Sequence, residues 1–157
     1  MFVADLINQA RERKIKIACA ESCTGGLVGA ALTEIPGSSD VFNGSAVTYS
    51  NEAKKNILGV SEETLKNFGA VSEQCATEMA TGALRIYNAD IAVSITGIAG
   101  PDGGTESKPV GTVCFGVAIH DKTFAFTKHF SGTRKEIREA SVQTAISMIE
   151  SSLQSIH

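Results

Sequence analysis

Apolar positions along the chain switch between a helical and an extended period, and the switches lay out the elements. MFVADLINQARERKIK places Phe2, Leu6, Ile7 and Ala10 on one face of an amphipathic helix. Residues 15–20 (IKIACA) are a short, mostly apolar run that reads as a buried strand, and helical spacing resumes over 25–34. Pro36-Gly37-Ser38-Ser39 breaks that helix. Residues 41–49 (VFNGSAVTY) are rich in β-branched and aromatic side chains and predict a strand, with Gly44 marking a bulge. Ser50 and Ser61 stand where N-caps belong, ahead of helices over 51–57 and 62–67, and Glu62 and Glu63 fall where the helix dipole favours negative charge. Ala76, Met79, Ala80, Ala83, Leu84 and Tyr87 recur at helical spacing over 73–87. Residues 90–96 (DIAVSIT) read as a buried strand, and 110–119 with 122–130 as a hairpin turning at His120-Asp121. Thr133-Arg134-Lys135-Glu136 is a capping box. It opens a last helix whose buried stripe is Val142, Ala145, Ile146, Ile149 and Leu153. This succession of helices and strands predicts an α/β fold: one domain over 1–157, a three-layer α/β/α sandwich around a mixed central sheet.

Composition narrows the function classes. At 157 residues, 43 % hydrophobic and 20 % charged, the chain has the make-up of a soluble domain with one sizeable core. No apolar run approaches the roughly 20 residues of a membrane span, and the N-terminus has no secretory leader pattern. A net charge of −3 without a basic tract argues against direct nucleic-acid binding. Cys19, Cys23, Cys75 and Cys114 are scattered, His157 is terminal and His120 lies in a turn, so no metal site is expected. Reduced thiols and a cytoplasmic location are the default without an export signal. Apolar surface on so small a domain points to a homodimer or higher homo-oligomer.

Three stretches carry candidate chemistry. In AESCTGG (20–26) a strand hands over to a helix through glycines. Unpaired N–H groups at such a turn stabilise a phosphate or an oxyanion, and Ser22 stands just before it. Ser22 and Thr24 serve equally well as ordinary helix caps. In TYSNEAK (48–54) Lys54 sits about one turn into a helix. Desolvated there, it becomes a base; exposed, it and Lys55 are plain surface lysines. TGIAGPDGGTESKPVG (96–111) holds five glycines and two prolines, the make-up of a shaped binding loop or of a flexible one.

AESCTGG, VTYSNEAK (47–54), GAVSE (69–73), ITGIAGPDGG (95–104), KPVGTV (108–113) and FSGTRKEIR (130–138) occur together and in this order. The combination resembles the C-terminal domain of the competence/damage-inducible CinA family, over about residues 5 to 150. The family's larger members carry a further N-terminal domain, for which this chain has no room. Two departures are Asn43-Gly44-Ser45, where members often have Arg-Gly, and Thr133 for an Asp in the last motif.

The family includes stand-alone amidases. The resemblance implies hydrolytic deamidation of nicotinamide mononucleotide to nicotinate mononucleotide and ammonia, by a serine–lysine pair without a metal or other cofactor. The motif serine falls on Ser22, the lysine on Lys54 and the tyrosine on Tyr49, which would orient the pair or else pack in the core. Thr24, Gly25 and Gly26 would supply oxyanion donors. The phosphate would go to the loop holding Thr96, Gly97, Gly100, Gly103 and Gly104, or to Arg134 or Arg138, unless these arginines lie on the exposed face of the last helix. Glu21 or Asp102 would attract the pyridinium ring. Cys23 is the rival nucleophile. Two other classes remain: a nucleotide-binding or competence-related regulatory module with weak or no catalysis, and an amidase for another small carboxamide.

Overall fold

A computed structural model describes residues 2–156; the side chain of Phe2, expected on the first helix's apolar face, and the terminal His157 lie outside the described set. The elements are α1 (Phe2–Arg13), β1 (Ile17–Glu21), α2 (Leu27–Thr33), a 3-10 turn (Ser38–Asp40), β2 (Phe42–Val47), α3 (Asn51–Leu58), α4 (Glu62–Phe68), α5 (Glu73–Ile86), β3 (Ile91–Gly97), β4 (Thr112–Ile119), β5 (Lys122–His129) and α6 (Arg134–Ser155). The sequence pattern predicts all of them except the 3-10 turn, which fills the expected break after α2. That helix begins later than its apolar spacing indicates, because Gly25 (φ 57°) and Gly26 (φ 106°) are left-handed and still belong to the turn.

The sheet runs β2-β1-β3-β4-β5. β1 is parallel to β2 and β3, while β4 is antiparallel to β3 and β5 to β4, which makes the sheet mixed. The expected bulge is present: Ile17 pairs with Phe42 but Ala18 with Gly44, leaving Asn43 as the extra residue. Gly44 is also required by contact, since a Cβ there would lie 2.4 Å from the Tyr87 ring.

The two faces of the sheet are packed differently. Ile17, Cys19, Val93, Ile95, Phe115 and Val117 meet the face formed by α1, α2 and α6, where Leu6, Ile7, Leu32, Ile146 and Ile149 are buried. The opposite face offers Ala18, Ala20, Ala46 and Ala92 to Leu58, Met79 and Ala83. Small side chains let α5 ride close to the sheet: a Cβ on Gly116 would sit 2.3 Å from Ala76 O, and Ser94 Oγ donates to that carbonyl at 2.5 Å. The carboxyl ends of β1, β2 and β3 share one edge. The chain leaves β1 for a helix on one face and β2 for helices on the other, so a crevice opens beyond β1, where open α/β sheets hold ligands. No helix of the described residues is long and apolar enough to cross a membrane.

Candidate active site

Strand alternation separates the two residues at the end of β1. Glu21 shares the face of Cys19, toward α2; Ser22, whose N–H still pairs with Ile95 O at 2.9 Å, turns to the α3 side. Glu21 is fully buried. Its Oε1 accepts from Thr24 Oγ1 (2.7 Å), Gly26 N (3.1 Å) and Val28 N (2.9 Å), and its Oε2 from Gly29 N (3.1 Å) and Ser45 Oγ (2.6 Å). The expected cap is therefore corrected. Neither Ser22 nor Thr24 caps α2; Gly26 holds the N-cap position without a side chain, and Glu21 reaches forward from the strand to satisfy the helix N–H groups. With both oxygens occupied in the core, Glu21 is not the expected contact for a pyridinium ring.

The expected oxyanion donors change as well. Gly25 N–H goes to Ser22 O at 3.1 Å and Gly26 N–H to Glu21. Among the described residues the Cys23 and Thr24 N–H groups have no hydrogen-bond acceptor.

Lys54 comes from the other side. The Ser50 hydroxyl caps α3 by accepting from Ala53 N at 3.1 Å, and Lys54, in the first turn, points into the sheet. It is 1 % exposed, whereas its neighbour Lys55 is exposed. Nζ lies 3.0 Å from Ser22 Oγ and donates to Thr48 O (3.0 Å) and Tyr49 O (3.1 Å). Burial holds its pKa below the ordinary 10.5, with the nearby Cys75 and Cys23 sulfurs working the other way. Two carbonyls thus take two of the Nζ hydrogens, and the remaining direction of Nζ faces Ser22 Oγ. The Cys23 thiol is pushed up to about 11, chiefly by burial, so it stays protonated at neutral pH.

The remaining candidates divide into those at the cavity and those away from it. Ser22, Cys23, Lys54, Thr96, Gly97 and Arg134 are among the residues lining a cavity of about 180 Å³. Tyr49 also lines it, but the residue is 63 % exposed and its hydroxyl meets Arg134 Nη2 at 3.1 Å. It neither packs in the core nor touches Ser22 or Lys54 through its phenol; only its carbonyl reaches Lys54. Arg134 Nη1 donates to Gly100 O at 2.7 Å, bridging the glycine loop and Tyr49 across the mouth. Arg138 donates from Nε to Cys23 O (3.0 Å) and from Nη2 to Thr24 O (3.3 Å). It braces the Ser22 turn from α6 and is not a free phosphate ligand. Neither arginine faces away from the site. Thr96 Oγ1 donates to Ala70 O at 2.8 Å, tying the loop before α5 to β3. Asp102, Gly103 and Gly104 are exposed and do not line the cavity, against expectation. The loop is nonetheless pinned at its base, with Ile98 N on Thr112 O (2.9 Å) and Gly111 N on Ile98 O (2.8 Å).

Residues not singled out from the sequence are Asn51, Ala70 and Val71 on the wall, and Ser45 behind Glu21. Ala70 and Val71 belong to GAVSE, whose polar members turn elsewhere, Ser72 capping α5 and Glu73 accepting from Thr127; only the fold brings the apolar pair to the wall. Among the described residues no group of three or more His, Cys, Asp or Glu is placed to hold a metal ion.

With this geometry, residues 2–153 match the CinA C-terminal domain. A CinA-like protein of Endomicrobium trichonymphae is 54 % identical over 93 % of the chain, which spans only 34 % of that protein's length. The nicotinamide-nucleotide amidohydrolase PncC of Enterobacter agglomerans is 52 % identical over 87 % of this chain and 82 % of its own. Among solved structures, a CinA superfamily protein from Klebsiella pneumoniae superposes with a TM-score of 0.94 at 35 % identity, covering 99 % of this chain and 97 % of the other. The competence/damage inducible protein CihA from Agrobacterium tumefaciens does so with 0.89 at 42 % identity, covering 98 % and 96 %. The chain belongs to the CinA C-terminal domain family.

Proposed function

We propose that the protein hydrolyses the carboxamide of nicotinamide mononucleotide, giving nicotinate mononucleotide and ammonia. The observation that carries this reading is the buried Lys54 amine 3.0 Å from Ser22 Oγ, oriented by two backbone carbonyls. A carboxamide is a poor electrophile, so the serine must lose its proton as it attacks. Ser22 Oγ bonds to the carboxamide carbon while Lys54 Nζ takes the hydroxyl proton. The tetrahedral oxyanion is met first by the free N–H of Cys23, which lines the cavity, with that of Thr24 behind it in the turn. Lys54 then gives the proton to the leaving nitrogen, the C–N bond breaks, and ammonia departs from an acyl-serine. Water, deprotonated by Lys54, hydrolyses that ester and restores Ser22.

A cavity of about 180 Å³ admits the pyridine carboxamide and little more. The ribose phosphate then lies across the mouth, where Arg134 is the lining cation and Tyr49 its neighbour. Support for the substrate class comes from the named amidohydrolase relative at 52 % identity.

The test is release of ammonia and nicotinate mononucleotide by the purified chain in the presence of a chelator. Ser22→Ala and Lys54→Ala are expected to lower kcat by roughly 10²–10⁴-fold or more, and Cys23→Ala to leave the chemistry in place. A wild-type chain that releases nothing at high enzyme concentration ends the amidase reading and leaves a nucleotide-binding module. Loss on chelation, or in Cys23→Ala alone, removes the serine–lysine mechanism.

A further inference from the structure

We propose that Glu21 is a positioning residue whose buried carboxylate fixes the Ser22 turn and selects which N–H groups meet the oxyanion; this rests on the reading of Ser22 as nucleophile. A carboxylate with no exposed surface needs replacements for its lost water. Among the described residues no Lys, Arg or His pairs with it. Five donors hold it instead: two hydroxyls, Thr24 and Ser45, and three backbone N–H groups, Gly26, Val28 and Gly29.

Capping a seven-residue helix does not require this. A short polar side chain at the N-cap is the ordinary way to do so; here that position is the left-handed Gly26 (φ 106°), and the carboxylate reaches in from the strand instead. What Glu21 achieves beyond capping is a junction. It joins the end of β1, the turn, the start of α2 and, through Ser45, strand β2. Ser22 is the next residue, held on its other side by Ile95 O of β3. The carboxylate also removes Gly26 N–H from the donors of the turn, while Gly25 N–H is closed onto Ser22 O. Cys23 and Thr24 are left. Glu21 faces α2 and Ser22 faces Lys54, so Glu21 works through the turn and never meets the substrate.

Glu21→Gln tests this. An amide offers one acceptor oxygen and turns an NH₂ toward a group that must itself donate, either Gly29 N–H or Gly26 and Val28 N–H. The first readout is independent of the natural substrate: the rate at which a fluorophosphonate labels Ser22, followed by mass spectrometry. The expected result is labelling about 100-fold slower than wild type, the scale of a lost oxyanion donor. Circular dichroism should be unchanged. Where the mononucleotide is turned over, kcat should fall by a similar factor with KM within about threefold, a split that general loosening would not produce. Ile149→Val, on the buried face of α6, is the control: it lowers Tm and leaves labelling and kcat as they are. If Glu21→Gln does not fold, Ser45→Ala, which takes one donor from the same carboxylate, is expected to label several-fold more slowly. Wild-type labelling by the variant that folds overturns the proposal, as does a loss matched by equal loss of binding to nicotinate mononucleotide. A wild-type chain that labels at Ser22 but does not deamidate leaves Glu21 testable and overturns only the substrate reading. One that neither labels nor deamidates overturns both.

Discussion

Lys54 shows what burial does to one side chain. An ammonium at 1 % exposure loses its water, and burial lowers its pKa from 10.5. In the interval between that lowered value and 10.5 the unfolded chain binds more protons than the folded one, so stability rises with pH there. Below the interval the full penalty for the buried charge remains. Denaturation of the wild type at a series of pH values should show this rise. Lys54→Met should lack it and be about 1 kcal/mol or more stabler at neutral pH, as expected when an apolar isostere replaces a buried charge. In the proposed reaction the neutral amine is the base, so kcat/KM of the wild type should climb with pH through a midpoint below 10.5. A midpoint at the ordinary lysine value would mean that burial does not tune this amine.

At the level of elements, the pair forms because α3 and β1 are held in fixed relation. Helix α3 lies on α5 at Gly82, where a Cβ would come within 2.1 Å of Leu58 O. Gly82→Ala must push α3 outward and carry Lys54 with it. It is expected to cost about 1–3 kcal/mol by overpacking and to lower kcat more than a control substitution of equal stability cost, measured by denaturation and turnover on the same preparations. Helix α6 works from the opposite side. Its capping box pairs Thr133 N with Glu136 Oε1 (2.9 Å) and Glu136 N with Thr133 Oγ1 (3.2 Å). Arg134 and Arg138 project from the turns that follow. Thr133→Ala should cost about 1 kcal/mol and loosen both arginines. The Thr133 N–H and then its hydroxyl hold the Glu136 carboxyl below its ordinary 4.5. The box therefore contributes fully above about pH 4.5 and is lost as pH falls through the lower folded value. Acid titration of the melting temperature should show a smaller drop in Thr133→Ala than in wild type.

For the whole molecule, the site is where three packing decisions meet: the reversal of strand order at β1, the close approach of α5 to an alanine-lined face, and the crossing of α6 over the turn after β1. The cavity they leave is about 180 Å³, smaller than a mononucleotide. Substrate discrimination then depends on the mouth. Free nicotinamide should be turned over with kcat/KM at least 10²-fold below the mononucleotide, since remote binding energy supports the chemical step. The riboside should fall between, and Arg134→Met should narrow the gap between riboside and mononucleotide. Equal rates for all three would show that the phosphate is dispensable and the true substrate a different carboxamide.

The chain's own order of residues decided every element whose cause is local. Periodicity marks the six helices and five strands, and Ser50, Ser61 and Thr133 cap their helices through side chains that reach only three residues ahead. The bulge near Gly44 was legible; its steric cause, the ring of Tyr87, was not. Motif resemblance brought out Ser22 and Lys54 as a pair, but residue type alone made Lys54 and Lys55 alike. Only the seating of α3 on α5 buries one and leaves the other in water. Glu21 read as a free carboxylate because its partners Val28 and Gly29 lie in a helix and Ser45 in a neighbouring strand. Arg134 and Arg138 were ambiguous for the same reason, since their helix period does not say which loops the helix will cross. Short-range hydrogen bonds and alternation are written along the chain, whereas burial, and the chemistry that burial confers, arises only from contacts between distant segments.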